Sequence, residues 1–124
     1  MVRRTWVLAT PEEKVRQSLL QKMVLTLGFP KGLLAVEKAV GQRRFDLVCY
    51  TKEGNALLLV ECKAFDPEEA AENQAFGYNL YCGAPFLCVA GPNCIQTLWH
   101  EGGQLKRVSF LPFFQELYAF SQRL

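Results

Sequence analysis

Two carboxylates and a lysine have the types and spacing to do chemistry: Asp46, then after fourteen intervening residues Glu61, followed two positions on by Lys63. Glu61-Cys62-Lys63 closes the apolar run Ala56-Leu57-Leu58-Leu59-Val60, which reads as a strand covered on both faces. Side chains alternate along a strand, so Glu61 and Lys63 point to the same side. Burying a carboxylate beside an ammonium is costly unless a bound cation, a substrate phosphate or close mutual hydrogen bonding offsets it. If Asp46 sits on the neighbouring strand of a hairpin, the two carboxylates come close and repel each other, and a hard divalent cation with oxygen ligands relieves the repulsion. Magnesium keeps several waters and takes one or two carboxylates plus substrate phosphate oxygens. Lys63 could then orient or deprotonate such a water and neutralise charge on a pentavalent phosphate. Residue types alone thus describe phosphodiester cleavage with Mg2+ or Mn2+. The alternative is a charged cluster at a strand end, held as an ion pair.

The elements that must position these groups are legible in the pattern. Thr10-Pro11-Glu12-Glu13 starts a helix, with Thr10 as cap and Pro11 at the first helical position. The helix should reach about Leu27 and stop at Gly28. Val15, Leu19, Leu20, Met23, Val24 and Leu27 share one arc, and Glu12, Glu13 and Arg16 project into it, so the inward face turns polar in its first turn and borders a polar site. The alternative is that Glu13 only completes a capping box and Glu12 complements the helix dipole.

Leu33–Val40 and Arg43–Tyr50 read as strands joined by a hairpin at Gly41-Gln42, with Asp46, Val48 and Tyr50 on one face and Phe45, Leu47 and Cys49 on the other. The apolar run is the third strand of an antiparallel meander. Asp66-Pro67-Glu68-Glu69 starts a second helix running to about Tyr81, with Gln74 central on its small-residue face. Phe86–Ala90, Ile95–Trp99 and Leu105–Phe110 read as further strands, and Pro112–Leu124 as a short amphipathic helix. The expected fold is one α/β domain over residues 1–124, a mixed sheet of meander plus crossover strand flanked by helices.

Half of the 124 residues are apolar, enough for a real core. A net charge of +2 permits an anionic partner without demanding one. No apolar run approaches the roughly 20 residues of a membrane span, and no signal-peptide core follows Met1-Val2-Arg3-Arg4, so the cytoplasm is expected. The five cysteines form no C-x-x-C pair, and Cys49, Cys62 and Cys88 lie in strand-like runs where a free thiol acts as a small hydrophobe. Cys82, Cys88, Cys94 and His100 recur every six residues, but structural zinc sites use pairs about two to four apart on turns. His100, beside Glu101-Gly102-Gly103, reads as an exposed turn residue. The chain holds no Gly-rich phosphate loop, no G-x-S-x-G elbow and no His-centred triad.

Four blocks in order carry a resemblance: Pro11-Glu12-Glu13-Lys14-Val15-Arg16-Gln17, Arg43-Arg44-Phe45-Asp46-Leu47-Val48, Leu59-Val60-Glu61-Cys62-Lys63-Ala64, and Gln74-Ala75-Phe76-Gly77-Tyr78-Asn79. Over about Pro11 to Cys94 the sequence resembles the PD-(D/E)XK nuclease superfamily, and most closely the N-terminal nuclease-like segment of type I restriction enzyme R subunits. Phe45 stands where the family pattern has proline. The resemblance implies a restriction-endonuclease-like core. Asp46, Glu61 and the main-chain carbonyl of Cys62 would be metal ligands, Lys63 the catalytic lysine, and Glu13 the helix carboxylate that completes the site. Gln74 and Tyr78 match the Q-x-x-x-Y element of RecB-like members and would support the site and the substrate backbone, against a reading as helix-sheet packing. Arg43 and Arg44 divide between solvated surface and contact with a DNA backbone.

The expected activity is therefore a Mg2+- or Mn2+-dependent nuclease acting on nucleic acid, DNA first. The alternative is a non-catalytic module that keeps the fold to bind nucleic acid or a protein. Phe110-Leu111-Pro112-Phe113-Phe114, with Leu117, Tyr118 and Phe120, is richer in aromatics than one face of a short helix needs, which favours a two-fold homodimer or a place in a larger restriction or repair complex; the alternative is that these residues close the chain's own core.

Overall fold

Thr10 opens the first helix, its Oγ1 accepting a hydrogen bond from the Glu13 N–H at 3.1 Å, and Pro11 needs no intrahelical donor. This computed structural model describes residues 10–41, 43–67 and 83–124. Of the second helix expected from Asp66 to about Tyr81, only Asp66 and Pro67 are described; Gln74, Tyr78 and Cys82 lie outside the described residues.

Helix α1 (Pro11–Leu25) ends as the chain turns through Gly28 at φ +74°, and the Phe29 N–H donates to the Met23 carbonyl at 3.0 Å across that turn. One turn of 3-10 helix (Lys31–Leu33) takes up Leu33, the residue expected to begin the first strand. Six strands follow: β1 (Leu34–Val40), β2 (Arg43–Tyr50), β3 (Ala56–Cys62), β4 (Phe86–Ala90), β5 (Ile95–Glu101) and β6 (Gln104–Val108), then α2 (Phe114–Ser121). They form one mixed sheet in which spatial order equals chain order. Every neighbouring pair is antiparallel except β3 with β4, which run parallel, as expected of a meander followed by a crossover. His100 belongs to β5, paired with Leu105, and is not a turn residue: the turn falls later, where Gly102 and Gly103 both take positive φ.

The sheet buries side chains on both faces. Leu58, Val60 and Cys62 of β3 join Leu47, Cys49 and Cys88 beneath Leu19 and Met23 of α1 and Leu117 of α2. Leu59 faces the other way, with Val48, Leu87, Val89 and Leu98. Phe45 belongs to this second cluster and not with Leu47 and Cys49, so the alternation expected of β2 breaks at Asp46. The cause lies in the pairing described below.

The C-terminal aromatics are largely used inside the subunit. Phe120 packs against Phe86 and Trp99 with centroids 6.1 and 5.9 Å away, and Phe114 meets Phe29 at 5.6 Å. The Phe114 N–H donates to the Leu27 carbonyl, fastening α2 to the end of α1. Phe110 and Phe113 stay more than half exposed.

Beyond β4, Gly91 passes so near the chain leaving β3 that a Cβ there would lie 2.6 Å from the Asp66 Cα. Asp66 Oδ1 accepts from the Asn93 N–H at 2.8 Å and holds the two segments together. Gly91→Ala should destabilise the chain by about 1–3 kcal/mol through overpacking against backbone, measured by urea denaturation. An unchanged midpoint would mean the two segments separate freely.

Candidate active site

The ladder between β2 and β3 runs from Tyr50 and Ala56 to Leu47 and Val60 and goes no further. Past that point β2 stays paired with β1, through Phe45 with Lys38 and Arg43 with Val40. Meanwhile β3 stays paired with β4, through Glu61 with Val89 and Cys62 with Ala90. The two middle strands fork. Asp46 sits in the fork and its Oδ2 accepts the Cys62 N–H at 2.7 Å, replacing a ladder bond with a charge-assisted one. Without a ladder partner at Asp46, β2 is free of the pleat there, which accounts for Phe45 turning to the second core cluster.

Glu61 is the buried charge of the fork. Its side chain is 10% exposed, and its Oε2 lies 2.9 Å from Arg43 Nη2 and 3.4 Å from Lys63 Nζ. Lys63 is 45% exposed, so its amine can reach solvent while its main chain is anchored by its N–H to the Ala90 carbonyl at 2.8 Å. Asp46, Glu61 and Lys63 line one cleft of about 270 Å³ with Glu12, Glu37 and Arg44. A second cleft of about 230 Å³ is lined by Glu12, Glu13, Arg16, Glu37 and Asp46, so Asp46 borders both.

Glu13 faces inward as the polar first turn of the helix suggested, but it reaches Asp46's second cleft and not the one that holds Glu61. There it pairs with Arg16 at 3.6 Å, and Arg16 spans to Glu37 at 3.2 Å. Arg43 turns into the fork onto Glu61, while Arg44 is exposed at its rim. Gln74 and Tyr78 lie outside the described residues.

Sequence reasoning missed Glu37 as a lining residue. It sits on the outermost strand with φ +52°, a left-handed backbone that non-glycine residues rarely adopt, and nothing in its sequence neighbourhood signals that. Glu12 lines both clefts, in keeping with its place in the inward arc of α1.

Residues 11–112 match the family model described as the type I restriction enzyme R protein N terminus. The chain belongs to that family. In this R-protein N-terminal domain the match takes in α1, all six strands and every described residue of the fork. A search among curated proteins found no match.

The sequence-based expectation of a divalent metal raises the question of fit. The carboxylates of Glu12, Glu37, Asp46 and Glu61 around one cleft are hard oxygen donors of the kind Mg2+ and Mn2+ prefer, with no imidazole or exposed thiol among them. Cys62 could take part only through its main chain. Its side chain is buried in the core under α1, and burial first, then the nearby charge of Asp46, pushes its thiol up to about 12. Among the described residues no three His, Cys, Asp or Glu side chains converge to hold an ion as placed, and the bonds above show why. Asp46 is committed to a backbone N–H and Glu61 to two cations. The donor chemistry fits, and an ion entering the cleft would meet those existing partners.

The same burial orders the thiols. Cys49, Cys62 and Cys88 are all pushed up to about 12, desolvation being the first cause in each, whereas Cys94 is half-buried in a turn. A raised thiol pKa keeps the unreactive protonated form through neutral and mildly alkaline pH. Iodoacetamide at pH 8 should label Cys94 well before those three in the native chain, as read by peptide mass mapping. Early labelling of Cys62 would mean the fork opens to solvent.

Proposed function

We propose that this domain is a metal-dependent phosphodiester hydrolase of restriction-endonuclease-like fold that cuts nucleic acid, DNA in the first instance. The observation that carries the reading is the meeting of Asp46, Glu61 and Lys63 in one cleft where β2 and β3 part. Membership of a family described by a restriction enzyme's R protein supports it.

Asp46 and Glu61 would hold Mg2+ or Mn2+ with the Cys62 main-chain carbonyl. A bound ion of this kind supplies a water of lowered pKa and polarises the phosphoryl oxygens. The chain's own residues do the rest. Lys63, half-exposed beside Glu61, can place its ammonium against the phosphate and neutralise the charge that builds there. Arg44, exposed on the rim of the cleft, is placed to hold the backbone on either side of the cut. Asp46, tied to the Cys62 N–H, fixes the relation of the two strands that carry the ligands.

A second reading, a non-catalytic module that binds nucleic acid or a protein, is favoured by one observation: Glu61 is already neutralised by Arg43 and Lys63.

Cleavage of single- and double-stranded DNA and of RNA, with Mg2+ or Mn2+, separates the two. The wild-type chain should cut, and Lys63→Ala should lose at least about 100-fold in rate, the cost typical of removing one group that stabilises developing charge. Equal rates in both would remove Lys63 from the chemistry, and no cleavage by either would favour the binding module. Mn2+ should also raise the melting temperature of the wild-type chain by binding the folded state, and Asp46→Asn should abolish the rise. An equal rise in the variant would place the ion elsewhere.

A further inference from the structure

Arg43 and Arg44 are adjacent in sequence and opposite in use. Arg44 is exposed, across from Ala39 on the outer hairpin. Arg43 is 26% exposed, lies 2.9 Å from Glu61 Oε2, and rests its guanidinium over the Phe45 ring at 5.4 Å from the centroid. Phe45 is itself 1% exposed and held in the core, so the aromatic shelf under Arg43 cannot move away. Arg43 and Phe45 are two apart on β2 and share a face, so the ring lies where the guanidinium can rest on it.

We propose that Arg43 is the resident counter-ion of Glu61, holding that carboxylate in the metal-free protein and competing with the divalent ion for it. This rests on the metal-site reading above and goes beyond it by assigning what controls loading. A carboxylate buried to this degree must be paired, and two cations lie 2.9 and 3.4 Å from Glu61. Lys63 is half-exposed with a flexible stem and a hydrated ammonium, and can leave for solvent or for a phosphate. Arg43 is the weaker-hydrated and better-packed cation, held by its position over the Phe45 ring as well as by charge. A divalent ion that binds Glu61 either displaces this guanidinium or sits beside its charge, and both lower the ion's affinity. Arg43 is therefore a positioning residue that sets a threshold metal concentration, and not a contact to the nucleic-acid backbone.

The test is titration of the full chain with Mn2+ alone by isothermal calorimetry, with no nucleic acid present, on wild type, Arg43→Gln, Arg43→Lys and Lys52→Gln. Lys52 is exposed in the turn joining β2 to β3 at the opposite end of those strands from the fork, so its variant makes the same change in net charge away from the site. Arg43→Gln should bind Mn2+ at least about tenfold more tightly than wild type and melt at lower temperature without metal, because Glu61 has lost a partner. Arg43→Lys, which keeps the charge but loses the planar fork, should tighten binding by a smaller factor and gives the answer if the glutamine variant does not fold. Lys52→Gln should match wild type. Equal or weaker Mn2+ binding in both Arg43 variants, or equal tightening in Lys52→Gln, would overturn the competition while leaving the metal site standing. No binding in any variant would overturn the metal site, and the competition with it.

Discussion

A single hydrogen bond, from the Cys62 N–H to Asp46 Oδ2, decides the character of this sheet. Antiparallel strands normally satisfy each other's backbone along their full length, and an unpaired buried N–H costs about as much as a lost hydrogen bond. Here β2 and β3 stop pairing at Leu47 and Val60, and a carboxylate takes over where the ladder leaves off. The side chain that closes the gap in the backbone is also a hard, charged donor. The same bond thus permits the strands to separate and lines the space they leave. Phe45 turns to the second core face beyond this point, and Arg43, its same-face neighbour on β2, rests on its ring.

Charge balance in the fork is the second constraint. Glu61 extends an otherwise apolar strand, and it is tolerated because two cations reach one of its oxygens. Arg16 does comparable work at the neighbouring cleft, spanning Glu13 on α1 and Glu37 on β1. Acidic groups gathered from a helix and three strands are thereby kept compatible with one another while remaining at the surface of two small clefts.

Most of the sheet was legible in the sequence because its signals are local. Thr10-Pro11, the Gly41 hairpin and the apolar run of β3 each declare themselves through capping, turn chemistry or burial, and the elements fall close to where those signals put them. The site was legible in part for the same reason. Asp46, Glu61 and Lys63 sit at positions that strand alternation and hairpin spacing can relate. Arg43 was not, because its role depends on where β2 leaves its pleat, which is a property of two strands together. Glu37 escaped for a similar reason: its left-handed backbone has no signature in residue type. His100 was put on a turn because two glycines follow it closely, whereas the turn begins only after Glu101.

Spatial order matching chain order has a kinetic meaning. The sheet is two three-stranded meanders, β1 to β3 and β4 to β6, sewn by one parallel seam between β3 and β4. Within each meander the contacts close short loops, whereas the seam joins residues as remote as Leu58 and Phe86 and carries the larger entropy of loop closure. Every strand-borne group of the fork, from Glu37 to Lys63, belongs to the first meander. The carboxylates should therefore be brought near one another early in folding, by local chain closure. Their final spacing must wait for the slower docking of β4, whose Ala90 carbonyl anchors Lys63. The cleft and its final spacing thus draw on different parts of the chain.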